Sequence, residues 1–102
     1  MTFTFVDYRG EEIYLTDEVY QVVLSKHPEA GLFAKRISDT LSSPDIVKKS
    51  QLDVRVNLYY KFYSDILNGK FVVIVVKHAD SFFVSTFYTT DKIKQGEIVW
   101  KK

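Results

Sequence analysis

The chain holds two histidines, His27 and His78, and no cysteine. An imidazole changes charge near neutral pH and can give or take a proton. His27 stands in SKHPEAG, residues 25–31, directly before Pro28. Proline pushes the preceding residue out of the α region, so a helix must end at or just before His27. The histidine is then either a helix-end residue favoured by the helix dipole, or a proton-transfer group presented at that end. His78 follows an apolar run at a turn and reads as a surface residue. Arg55, Lys61 and Lys77 supply cations, and Tyr59, Tyr60, Thr86 and Tyr88 supply hydroxyls. This set suits RNA cleavage without a metal. A base must take the proton of a ribose 2′-hydroxyl, an acid must protonate the leaving 5′-oxygen, and cations or donors must hold the charged phosphorane. Arginine and lysine bind phosphate, and tyrosine stacks on bases.

Other chemistries find little support. Without cysteine there is no disulfide scaffold, cysteine zinc site or catalytic thiol. No glycine-rich phosphate loop, dinucleotide fingerprint, zincin helix or calcium loop is present. Two histidines far apart in sequence are a poor basis for a metal site, and no serine stands in a nucleophile turn. No cofactor is expected. The longest apolar run, FVVIVV, is far too short to span a membrane, and the N-terminus lacks a signal-peptide pattern, so a cytoplasmic protein is expected. The net charge is +1, but residues 1–45 carry −4 (four Lys/Arg, eight Asp/Glu) and residues 46–102 carry +5 (ten Lys/Arg, five Asp/Glu). A general nucleic-acid coat is disfavoured, whereas a local phosphate site in the basic half is compatible.

The elements that must position these residues follow from hydrophobic period. FTFV (3–6) and EIYL (12–15), around a turn at Gly10, predict an N-terminal hairpin. Thr16 is a suitable N-cap, with Asp17 and Glu18 in the first turn of a helix that runs to Pro28. A second helix is predicted over 30–43, with Leu32, Phe33, Ile37 and Leu41 as its stripe. The period then drops to two. Strands are predicted at 46–50, 54–63, 71–78, 82–90 and 97–100, with an Asn-Gly turn at 67–70. The segment 54–63 alternates, with Val54, Val56, Leu58, Tyr60 and Phe62 on one face and Arg55, Tyr59 and Lys61 on an open one. The expected fold is α+β, a hairpin and two helices packed on a roughly four-stranded antiparallel sheet, as one domain over 1–102.

The ordered set KHPEAG, SSPDIV, NLYYKFY, VVIVVKH and STFYTTDKIKQGEIVW resembles the phage-type branch of the barnase–EndoU–colicin–RelE-like nuclease superfamily, over about residues 13–102. The closing segment is its most specific part: Thr86, Phe87, Tyr88, Thr90, Asp91, Lys94, Gly96, Glu97 and Trp100. The resemblance implies a metal-independent ribonuclease with its site on the sheet, acting on RNA and paired with an antitoxin or immunity protein. Matched by motif, His27, Lys77, Thr86 and Tyr88 are the catalytic candidates, and Arg55, Tyr60 and Lys61 the substrate-binding ones.

Each has a plainer reading. Lys77 also marks where a central strand emerges into water. Arg55 and Lys61 also suit a solvated face. Tyr60 falls on the apolar register, which leaves Tyr59 as the open-face alternative. Thr86 and Tyr88 share a face because they are two apart, which serves packing as well as a site. Trp100 reads as core closure. The alternative function is a non-catalytic RNA- or protein-binding module, including a homodimer formed if FVVIVV or FFVSTF lies at an exposed edge.

Overall fold

A computed structural model describes residues 2–102. The strands are β1 (Thr2–Val6), β2 (Glu12–Thr16), β3 (Ile46–Lys49), β4 (Val56–Tyr63), β5 (Lys70–His78), β6 (Phe82–Thr90) and β7 (Ile98–Lys101). The helices are α1 (Asp17–Lys26) and α2 (Ile37–Ser42), with 3₁₀ turns at Pro28–Leu32 and Ala34–Arg36 between them. The fold is α+β, as the periods predict. All seven strands form one sheet in the order β1-β2-β6-β5-β4-β3-β7. Every pairing is antiparallel except β2 with β6.

The sheet is therefore larger than the four strands expected. The N-terminal hairpin joins it through Ile13 beside Phe82 and Tyr14 beside Phe83. Ile13 and Leu15 are buried there, and that burial favours docking over a free hairpin. The edges are consequently β1 and β7. FVVIVV and FFVSTF lie in β5 and β6, inside the sheet, so they offer no edge for self-pairing.

Helix α1 starts where the sequence indicates. The Thr16 hydroxyl accepts the Val19 N–H at 3.2 Å, and the chain leaves the helix at His27, whose N–H donates to the Val23 carbonyl at 2.7 Å. The predicted second helix is mostly not α-helical. Pro28 opens a 3₁₀ turn, and only Ile37–Ser42 is α. The tighter turns bury Ala30 and Phe33 and leave Leu32 72 % exposed, so packing overrides the helical stripe.

Both helices lie on one face of the sheet. The main core holds Val23, Phe33, Ile37 and Leu41 from the helical layer against Ile13, Leu15, Val47, Tyr59, Val72, Ile74, Val84 and Phe87 from the strands. A smaller cluster of Ile46, Leu58, Tyr60 and Val73 occupies the opposite face, with Phe71, Val75, Tyr88 and Ile93 packed around it. Leu58 and Tyr60 of the predicted apolar face of β4 are buried, but so is much of the face expected to be open. Tyr59, expected on an open face, is fully buried beneath the helices, whereas Phe62 of the apolar register is 48 % exposed. The reason lies in the tyrosine hydroxyls. Tyr59 donates to Asp7 at 2.6 Å and Tyr63 donates to Asp39 at 2.7 Å, so both rings enter the core without an unpaired polar atom.

The β4–β5 turn runs through three consecutive positive φ angles, at Leu67, Asn68 and Gly69. A Cβ at Gly69 would stand 3.0 Å from the Phe62 ring, so glycine serves both backbone and contact there.

Candidate functional site

Strand alternation sends His78 to the helix-bearing face of β5, at an end that neither helix covers. There Arg9, Lys49, Arg55, Asn57, His78 and Glu97 line an open cleft of about 450 Å³. Three cations, one imidazole and one carboxylate thus share a single surface. They come from the first hairpin turn, the end of β3, the loop before β4, the end of β5 and the segment before β7.

Arg9 is the most firmly held. Its Nε and Nη2 donate to one Asp7 carboxylate oxygen, at 3.0 and 2.9 Å. The Asp7 carboxylate is fully buried and also accepts the N–H groups of Arg9 and Glu11, at 2.9 and 3.0 Å, together with the Tyr59 hydroxyl. Burial pushes the Tyr59 phenol far up, and its bond to Asp7 and the nearby carboxylate charge push the same way. Burial opposes the Arg9 charge, but Tyr59 and Asp7 outweigh it and raise Arg9 further. The guanidinium lies 5.0 Å from the Phe82 ring centroid, and the His78 ring stacks on that phenyl ring at 4.3 Å. One aromatic side chain therefore supports both an arginine and a histidine of the cleft.

Asp53 organises the opposite side. It accepts the Arg55 N–H at 2.9 Å and the Arg55 Nε at 3.3 Å, and the Lys77 ammonium lies 3.9 Å away. Its hydrogen bonds from Arg55 hold the Asp53 carboxyl below its ordinary pKa. The Arg55 carbonyl accepts the His78 N–H at 2.8 Å, tying this turn to β5. Glu97 reaches the cleft because the backbone approaches closely at Gly96, where a Cβ would stand 2.5 Å from the Lys49 carbonyl oxygen. The Lys49 N–H donates to the Glu97 carbonyl at 2.8 Å.

The sequence candidates divide among several places. Arg55 lines the cleft, whereas Lys77 lies on the other face of β5 and only approaches Asp53, at 3.9 Å. Thr86 and Tyr88 lie on the other face of the sheet, paired with Val75 and Val73. Tyr60 shares that face but is fully buried, and its hydroxyl accepts the Lys94 N–H at 3.1 Å. The Lys94 ammonium stands 6.0 Å from the Tyr88 ring centroid. Lys61, expected on an open face, is on the helix-bearing side, donating to the Ser43 carbonyl at 2.8 Å and lying 3.3 Å from Asp39. His27 ends α1 in the helical layer, across the sheet from Thr86 and Tyr88, with its Nδ1 3.5 Å from Glu29.

Asp7, Arg9, Lys49, Asn57 and Phe82 were not singled out from the sequence. A faint signal existed for the first two: Asp two before Arg, ahead of a glycine, suits a side chain that caps its own turn. Glu97 was visible only as part of the closing motif. Among the described residues, no three His, Asp or Glu side chains are grouped as metal ligands would be, and no helix is long and apolar enough to cross a membrane.

No match was found among curated proteins or among solved structures. A family model does match, across residues 2–101, and so takes in the hairpin that carries Asp7 and Arg9 as well as the closing strand. The chain belongs to the family described as phage-Barnase-EndoU-ColicinE5/D-RelE like nuclease2.

Proposed function

We propose that this nuclease-family chain is a metal-independent endoribonuclease whose chemistry runs in the Arg9–His78–Glu97 cleft. The observation that carries the reading is the meeting of an imidazole, a carboxylate and three cations on one open surface. Glu97 takes the proton of the ribose 2′-hydroxyl. The 2′-oxygen attacks phosphorus, the bond to the 5′-oxygen breaks, and the His78 imidazolium gives its proton to that leaving oxygen. The products are a 2′,3′-cyclic phosphate and a 5′-hydroxyl. Arg9, Arg55 and Lys49 offset the charge that grows on the phosphoryl oxygens. Arg9 is suited to this because Asp7 and Phe82 orient it before substrate arrives, leaving little reorganisation for the reaction.

The test is incubation of total RNA with the protein in EDTA, scored for cyclic-phosphate ends, beside His78→Ala and Glu97→Gln. Cleavage by the wild type that both variants lose supports the reading. Binding without cleavage would instead favour a non-catalytic RNA-binding module. Cleavage retained in both variants would direct attention to the opposite face, where Thr86 and Tyr88 share a surface with Lys94. An antitoxin or immunity partner fits a toxin-like role, and would be sought as a protein whose binding blocks this cleavage.

A further inference from the structure

The row of side chains that supports the cleft does not end at Arg9. The neighbouring Tyr8 ring lies 5.6 Å from the Arg9 guanidinium, and its centroid is 4.8 Å from that of Trp100, with the planes 36° apart. Trp100, Tyr8, Arg9, Phe82 and His78 thus form one continuous line of rings with the Arg9 guanidinium set between Tyr8 and Phe82. At its far end is a second hollow of about 490 Å³, lined by Tyr8 and Trp100 and flanked by Lys61, Lys102 and the hydroxyls of Ser42 and Ser43. Both aromatic side chains are half-buried, packing inward on the core while also lining the hollow. Core closure accounts for their packing, and the Ser43 carbonyl and Asp39 engage Lys61, but neither accounts for Lys102 beside the pair.

We propose that Tyr8 and Trp100 form a base-stacking subsite for single-stranded RNA, reached by the same strand that places a phosphate at Arg9. Every base offers a π face, so the subsite tolerates sequence, while Lys102 meets the backbone charge. A duplex keeps its bases stacked inside and cannot offer one to the tyrosine–tryptophan pair. The inference rests on the cleft reading for its neighbour, but it concerns binding and is measured separately.

Trp100 is the chain's one tryptophan, so its emission reports this hollow alone. A short single-stranded RNA carrying 2′-O-methyl groups throughout cannot be cleaved by 2′-attack. Bound to the wild type and to His78→Ala, it is expected to quench Trp100 in both, with occupancy followed by anisotropy of a labelled strand. A blunt duplex of the same length should not quench. Tyr8→Leu and Trp100→Leu, read by anisotropy, should bind the single strand on the order of tenfold more weakly, the effect of losing one stacked base. Unchanged emission at saturation, equal binding by Tyr8→Leu, or no binding at all would overturn the subsite. If Trp100→Leu does not fold, wild-type quenching and Tyr8→Leu decide. Cleavage that depends on His78 alongside silent Trp100 emission sinks the subsite alone. Quenching without His78-dependent cleavage sinks the cleft reading alone.

Discussion

Lys77 and His78 are consecutive in β5, yet they belong to different faces of the same sheet. On His78's side, at the end free of helices, lie an imidazole, a carboxylate and three cations in one cleft. On the other side, Thr86 and Tyr88 stand over a small apolar cluster, with Lys94 near the tyrosine and Tyr60 sealed beneath it. Both faces are basic and bear hydroxyls or aromatics. The cleft sets an imidazole, His78, and a carboxylate, Glu97, on one surface with its cations. A strand's period of two divides neighbouring residues between surfaces, so composition along a strand says little about what meets in space.

The largest effect expected is the one that separates these faces. Glu97→Gln should lower RNA cleavage by on the order of 10²-fold or more, the usual loss when a general base is removed. Thr86→Val and Tyr88→Phe should stay within a few-fold. Initial rates on one labelled RNA settle the contrast, and the reverse ranking would move the chemistry to the other face.

Next come the two acidic anchors. Asp7→Asn leaves Arg9 without its buried partner and should lower unfolding free energy by about 2–3 kcal/mol, short of the loss for a wholly buried pair because Arg9 is partly exposed. Asp53→Asn removes solvent-screened contacts and should hardly shift the urea midpoint. Equal midpoints for the two variants would mean that Asp7 is not the anchor its burial indicates.

Gly96→Ala should cost about 1–3 kcal/mol, since the added methyl must displace the Lys49 carbonyl. Because that displacement also moves Glu97, cleavage should fall with stability, whereas a variant on the opposite face with equal destabilisation should retain it. Paired urea melts and rates distinguish the cases.

The smallest effect is at alkaline pH. Burial first, then Asp7, raises the folded pKa of Tyr59, and burial likewise raises Tyr63. A raised folded pKa contributes stability that is complete below the unfolded value, about 10, and is lost as pH rises through and beyond it. Urea midpoints should therefore fall above about pH 10. Tyr59→Phe should start lower, lacking its bond to Asp7, but fall less steeply. A parallel decline would show that Tyr59 does not carry the dependence.

Much of the fold was legible. Thr16 and Pro28 mark both ends of α1 through local chemistry that needs no partner. The strands follow from their alternation, and Asn68-Gly69 from backbone freedom. The candidate site was legible in part. Arg55 lines the cleft and Lys77 does not, while His78 reads from sequence as surface, and surface is where it is. What raises it above other exposed residues is the Phe82 ring, which is local to His78 but is shared with Arg9 from the far end of the chain. His27 drew notice because of Pro28, a local feature, and local features do not report distance.

The amino-acid order alone determined the element types, the break at Pro28, the α+β class and the family resemblance, because these depend on neighbours a few residues apart. Only the tertiary structure decided which face of β4 the helices cover, that the hairpin extends the sheet, and that Arg9, His78 and Glu97 line one cleft. By apolar content alone the face of Val56, Leu58, Tyr60 and Phe62 outweighs that of Asn57, Tyr59, Lys61 and Tyr63, yet it is the second that lies beneath the helices. The choice turned on whether Tyr59 and Tyr63 could pair their hydroxyls with Asp7 and Asp39, and those partners lie on other elements.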